Sequence, residues 1–205
     1  MSNQPLHART ESRNLAEIAA TALVPTKLAH VVLRCIDPAR LRDWYLTVLQ
    51  AHVSYENEMV CFLTYDDEHH RIGLVQMPGL QADAPAAPGL EHLAFTYPDL
   101  GTLLANYRRL QQHGIEPFWT INHGPTISMY YRDPEGNKVE MQVDVFETAE
   151  QINDFLAKYY PENFMGVVFD PEEMIRKFEA GVPIAELYRR PPLPPGMTPW
   201  DMHRP

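Results

Sequence analysis

The feature that most limits how this chain can fold is that it repeats itself. LAHVVLRCIDP, starting at Leu28, lies over LEHLAFTYPDL, starting at Leu90, with His30 on His92. DDEHHRIGL, starting at Asp66, lies over DPEGNKVEM, starting at Asp133, with Gly73 on Glu140. Each copy reads as a strand, a helix and three further strands. A repeat of this size means one supersecondary unit used twice, neither copy burying its apolar face well alone. The sequence therefore predicts an α+β fold: two tandem β-α-β-β-β modules, residues 27–77 and 90–146, whose curved sheets form an open barrel around a cavity. Residues 1–26 read as a polar arm with a short helix, and 78–89 as a Pro-rich linker. Residues 147–205 read as a helical extension ending in a Pro-rich tail that forms no regular element and packs as an extended arm.

Local signals support the repeat. Asp37-Pro38 caps and opens a helix with Leu41, Trp44, Tyr45 and Val48 on one face, and Asp99 opens its counterpart, closed by Gly114. Thr148 and Gln151 make a capping box, and Asp170-Pro171 starts another helix that Gly181 stops. Asp133-Pro134-Glu135-Gly136 fits a type I turn with glycine in the left-handed position that closes a bulged hairpin. Counting outward from that turn pairs Tyr131 with Val139 and Tyr130 with Glu140. Paired residues share a face, so a phenol and a carboxylate occupy one surface with Gln142 and Asp144.

Alternation on the first strand of each module puts His30 and His92 on the cavity face, where Glu140 also points. Two imidazoles and one carboxylate from three strands form the 2-His-1-carboxylate set that holds a non-haem Fe(II) and leaves coordination positions open. Mn(II) suits the same ligands. The repeat would offer a fourth ligand where Gly73 stands, and glycine cannot supply one. Around this metal set, His70 stands at a strand mouth with a pKa suited to proton transfer. Tyr130 is placed to hydrogen-bond a substrate oxygen, and His123 lies in the loop before its strand. Tyr131 faces the other way.

Composition narrows the partners. A chain of 205 residues with net charge −10 is unsuited to nucleic acid or an anionic membrane surface. Cys35 and Cys61 lie in apolar strand-like runs and read as buried free thiols. With no long apolar run and no leader-like N-terminus, a cytoplasmic protein is expected.

Together, LAHVVLRC with His30, DDEHHRIGL with His70, GLEHLAFTY with His92 and SMYYRDPEGNKVEMQVD with Tyr130 and Glu140 resemble the vicinal oxygen chelate superfamily. Within it they are similar to the one-domain type I extradiol (catechol-cleaving) dioxygenases. The resemblance covers residues 27–146. It implies that His30, His92 and Glu140 hold Fe(II), that His70 is the acid–base group and that Tyr130 positions a catechol into which both atoms of O₂ are inserted. The family's further active-site histidine would fall at Ile121, and the nearest histidine here is His123. Two rival readings stay open: a glyoxalase-like metal-dependent isomerase or epimerase, against which Gly73 speaks, and a non-enzymatic drug-binding protein, against which the intact ligand set speaks. The extension has no assigned counterpart; a lid over the cavity or a contact in a homo-oligomer would both account for it.

Overall fold

A computed structural model describes residues 25, 27–77, 79–80 and 89–204. The arm helix expected before residue 25 and most of the expected linker lie outside the described residues.

The first module runs β1 (Val31–Cys35), α1 (Pro38–Leu49), β2 (His52–Glu56), β3 (Val60–Thr64) and β4 (Ile72–Gln76). The second runs β5 (Leu93–Thr96), α2 (Leu100–Gln112), β6 (Trp119–Asn122), β7 (Thr126–Arg132) and β8 (Lys138–Asp144). The sheets have the same order, β1-β4-β3-β2 and β5-β8-β7-β6, with the first and last strands of each module parallel. The registers bear out the duplication residue by residue. Val32 pairs with Gly73 as Ala94 pairs with Glu140, and Phe62 pairs with Gly73 as Tyr130 pairs with Glu140. His30 and His92 stand just before their strands rather than inside them.

Each helix starts where its cap dictates. Asp37 accepts from the Arg40 amide at 3.0 Å, and Asp99 from the Thr102 amide at 2.7 Å. Leu41, Tyr45 and Val48 are buried under α1, and Leu103, Leu104, Tyr107 and Leu110 under α2. They join Leu33, Cys35, Leu74, Met129, Val139 and Met141 in one apolar core shared by both modules. Cys35 and Cys61 are buried free thiols, as expected.

The β7–β8 hairpin forms as its sequence dictates, with Gly136 at φ +88° and the Asp133 amide donating to the Asn137 carbonyl at 2.9 Å. Its tip also ties the modules together. The Glu135 carboxylate accepts from the Ile36 and Asp37 amides at the start of α1, and Tyr45 donates to Asp133 at 3.2 Å.

The extension contains α3 (Ala149–Tyr159), β9 (Val167–Val168), α4 (Pro171–Glu179), α5 (Ile184–Leu187) and a 3₁₀ turn at Pro199–Met202. The Thr148–Gln151 capping box is present. The expectation of a tail without regular structure is corrected at its end: the Asp201 carboxylate accepts from the Thr198 amide and hydroxyl at 2.7 and 2.8 Å, and Pro199 is preset for the 3₁₀ turn. β9 was not legible in sequence. It adds a fifth strand to the second sheet, antiparallel to β6. Gly166 makes this possible, at φ +119° and so close to Asn122 and His123 that a Cβ would stand 2.4 Å from the Asn122 oxygen.

Candidate functional site

Alternation along β7 and β8 gathers polar groups on one face of the second sheet. His92 Nε2 lies 3.0 Å from Glu140 Oε2. Tyr130 and Ser128, two residues apart on β7, both hydrogen-bond the same carboxylate. Glu140 is 4% exposed, so these partners hold a charge that water barely reaches. Burial alone would raise its pKa, but the hydrogen bonds from His92, Ser128 and Tyr130 outweigh burial and hold it below the usual carboxylate range. The bond to Glu140 in turn raises the His92 pKa.

Tyr130 is fixed from three sides. Trp119, its cross-strand partner, stacks on it with ring centroids 4.6 Å apart, His92 meets it edge-on, and His123 Nε2 lies 3.0 Å from its hydroxyl. Burial, then the nearby Glu140 charge, raises its pKa far above neutrality, so it stays a phenol. The other His123 ring nitrogen, Nδ1, makes a very short contact with the Met165 carbonyl. A carbonyl only accepts, which assigns the proton to Nδ1 and leaves Nε2 as an acceptor on the neutral ring. Burial lowers the His123 pKa and favours that neutral form. Ile121, the position expected for the family's further histidine, is instead fully buried in an apolar cluster with Trp119 and Val167. His123 is the histidine that reaches the Tyr130 hydroxyl.

His30 and His70 stand together in the first module. Their rings are 4.1 Å apart, and His70 stacks on Phe62 at 4.3 Å. Burial, then the neighbouring His30 and His69, lowers the His70 pKa. His69 Nδ1 is 2.5 Å from His70 Nδ1. Among the described residues, the one set of three or more potential ligands with donor atoms all within 4.8 Å of one another is His30, His69 and His70. The structure thus brings His92, Glu140, Tyr130 and His123 together and His30 and His70 together, without closing His30, His92 and Glu140 to that span.

Both groups have donors suited to a metal. Adjacent ligands about 2.1 Å from an octahedral ion stand about 3 Å apart, and the His92–Glu140 pair has that separation. The three-histidine cluster could also hold an ion.

Sequence reasoning missed several groups here. Ser128 was findable, since it lies two residues before Tyr130 on the same face. Trp119 follows from cross-strand pairing once β6 is placed. Met165, Asn163 and Arg190 carried no signal, because they reach the site from the extension. Asn163 accepts from the Met165 and Gly166 amides at 3.1 and 2.9 Å, shaping the loop that presents the Met165 carbonyl to His123. Arg190 Nη1 bonds the His123 and Asn163 carbonyls, both at 2.9 Å. Trp119 Nε1 donates to the Met202 carbonyl at 2.9 Å. The tail expected to be an extended arm is folded back behind the Trp119–Tyr130–His123 cluster.

Comparison with known proteins identifies the family. Residues 27–141 match the Glyoxalase/Bleomycin resistance protein/Dioxygenase superfamily. The chain is 45% identical over 170 residues to biphenyl-2,3-diol 1,2-dioxygenase 3 of Rhodococcus globerulus, covering 82% of this chain and 90% of that protein. It is 45% identical over 160 residues to biphenyl-2,3-diol 1,2-dioxygenase 2 of the same organism, covering 77% and 84%. Among solved structures, a glyoxylase/bleomycin resistance protein/dioxygenase domain from Frankia sp. EAN1pec matches with TM-score 0.50 and 21% identity, over 59% of this chain and 99% of that one, a likeness of fold alone. With its duplicated modules, shared register and matched sequence, the chain belongs to the Glyoxalase/Bleomycin resistance protein/Dioxygenase superfamily.

Proposed function

We propose that this protein is an extradiol ring-cleaving dioxygenase that inserts both atoms of O₂ into a catechol-type substrate. The observation that carries this reading is the His92–Glu140 pair facing Tyr130 and His123, in a chain 45% identical to two biphenyl-2,3-diol 1,2-dioxygenases. The metal would be Fe(II), held by His92, Glu140 and His30. When bound, it supplies the Lewis acidity and redox activity that join a diol to O₂.

The protein's own residues have separable tasks. The Tyr130 hydroxyl has a single proton to give, and His123 Nε2, 3.0 Å away, accepts it. With Glu140 engaged as a ligand, a lone pair of the phenol oxygen is left to accept from a substrate hydroxyl. His123 cannot rotate without losing the Met165 carbonyl, so it fixes the direction of the Tyr130 hydroxyl. His70, buried, neutral and against His30, is placed to take a proton from the diol and to return it to an oxygen atom of O₂ as the O–O bond breaks, both atoms being kept in the product. Cleavage beside the diol leaves a carboxylate on one former ring carbon and a carbonyl on the next.

The test is O₂ consumption by anaerobically Fe(II)-loaded protein given biphenyl-2,3-diol and simpler catechols. Stoichiometric uptake with a ring-opened product supports the reading; a protein that binds the diol but consumes no O₂ overturns it. The three-histidine cluster motivates a second reading, with the ion on His30, His69 and His70. His69→Ala separates the two, since it removes a ligand only under the second.

A further inference from the structure

A cavity of about 820 Å³ lies against Gly124, the residue after His123, and is walled mainly by the extension; neither His123 nor Tyr130 lines it. Its walls include Phe146, Phe155, Tyr159, Tyr188, Pro192 and Leu193. This volume accepts an organic molecule of moderate size, and such aromatic walls favour an apolar one.

Among the polar groups in the wall, one is half-buried and cationic. Arg190 is half-buried, its guanidinium 4.8 Å from the Phe155 ring centroid. Its hydrogen bonds run from Nη1 alone, to the His123 and Asn163 carbonyls. Among the described residues, Nε and Nη2 have no acceptor, and Arg190 has no carboxylate within ion-pair distance. Glu162 lines the same cavity without pairing with it. A partly desolvated cation is ordinarily matched by an anion, and in a chain of net charge −10 an unmatched one is conspicuous. Burial lowers the Arg190 pKa, in keeping with a cation short of counter-charge.

We propose that this cavity binds an apolar monocarboxylate, with the carboxylate on Nε and Nη2 of Arg190 and the apolar body against Phe146, Phe155 and Tyr188. The Nε–Nη2 edge of a guanidinium matches the two oxygens of a carboxylate. Arg189 and Glu162, both exposed, also line the cavity and offset each other in formal charge, which leaves the single charge of half-buried Arg190 for a ligand to balance. Because Nη1 of the same guanidinium holds the His123 carbonyl, an occupant would bear on the loop that orients Tyr130. The site itself is independent of the ring-cleavage reading, although that reaction would release a ligand of this class.

The experiment is calorimetric titration of 4-phenylbutyrate into the full-length metal-free protein, with 4-phenylbutan-1-ol as the neutral match. Saturable one-to-one binding of the acid is expected, weakened about tenfold or more in the alcohol and in Arg190→Met, as for loss of a charge-assisted hydrogen bond. Ala185→Trp, which narrows the cavity without touching Arg190, should also weaken it. Equal affinity for acid and alcohol, or unchanged binding in Ala185→Trp, overturns the site even if Arg190→Met fails to fold. Displacement of the acid by biphenyl-2,3-diol would put it in the reaction site and overturn the proposal equally. None of these readouts depends on O₂ turnover, so failure here and failure of the ring-cleavage reading are distinct results.

Discussion

The two modules share strand order, register and a histidine before the first strand, yet they have taken different chemistry. The first presents Gly73, Phe62 and Tyr55 where the second presents Glu140, Tyr130 and Trp119. One face is open: β2 is exposed along its whole length, and Val32, Tyr55 and Met59 are exposed. The other is sealed behind the extension, with Tyr130, Glu140 and Ser128 all buried. Duplication supplied a frame with two equivalent seats. A carboxylate in only one of them, and an extension packed behind only that one, made the seats unequal. A buried carboxylate needs partners, and Ser128, Tyr130 and His92 are those partners; Phe62 opposite Gly73 could offer none.

The largest expected effect comes from erasing the difference at its centre. Glu140→Gln should lower metal affinity by about 100-fold or more, the upper end of what losing even an outer-sphere partner costs, with O₂ uptake falling in parallel. Metal content after gel filtration and oxygen-electrode rates check it. His69→Ala should leave metal retention near that of the parent protein. A loss as large as that in Glu140→Gln would instead put the ion in the first module.

Next comes Tyr130→Phe, which gives the second module the phenyl ring that the first has in Phe62. Metal should stay bound while turnover falls about 10- to 100-fold, the worth of a hydrogen bond to a charged group. A metal-free Tyr130→Phe protein would show that the phenol supports the ligands rather than the substrate. Gly73→Ala runs the comparison the other way. A Cβ there would stand 3.2 Å from Val32 Cγ2, so roughly 1 kcal/mol of destabilisation is expected with activity retained. Chemical denaturation measures the first and oxygen uptake the second.

The extension can be detached from the comparison by Asn163→Ala. It strips the Met165 and Gly166 amides of their acceptor and should destabilise the chain by about 1–3 kcal/mol. It should also slow turnover by freeing His123, and an enzyme slowed no more than its folded fraction falls would deny that link.

The smallest effect is on stability against pH in the metal-free protein. The raised His92 pKa contributes stability fully below the ordinary imidazole value of 6.5, lost as pH rises through the raised value. The lowered Glu140 pKa contributes stability above the ordinary carboxylate value of 4.5, lost as pH falls through the lowered value. The pair therefore adds most between those ordinary values, and His92→Gln should lower urea midpoints inside that window and flatten their fall above it.

Much of the second module is legible in the sequence alone. The turn residues fixed the β7–β8 register, alternation fixed the face, and the face joined Tyr130 to Glu140. The repeat pointed to His92 and explained Gly73. What alternation cannot supply is distance between modules: it puts His30 on the same face as Glu140 but does not reveal that His69 and His70 stand beside it. Nor can it place a segment without a counterpart in the repeat. Met165, Asn163, Arg190 and Met202 act through long-range carbonyl contacts that leave no periodic trace. Among the described residues, no helix is long and apolar enough to cross a membrane.

The measurement closest to the central claim is isotope incorporation. Fe(II)-loaded protein should turn over biphenyl-2,3-diol under ¹⁸O₂ to a ring-opened acid carrying two ¹⁸O atoms, one in the new carboxylate and one in the new carbonyl read before exchange with water. Glu140→Gln protein should form none. A product with one ¹⁸O atom, an intact ring oxidised to a quinone, or equal turnover in Glu140→Gln would contradict a dioxygenase site built on the second module.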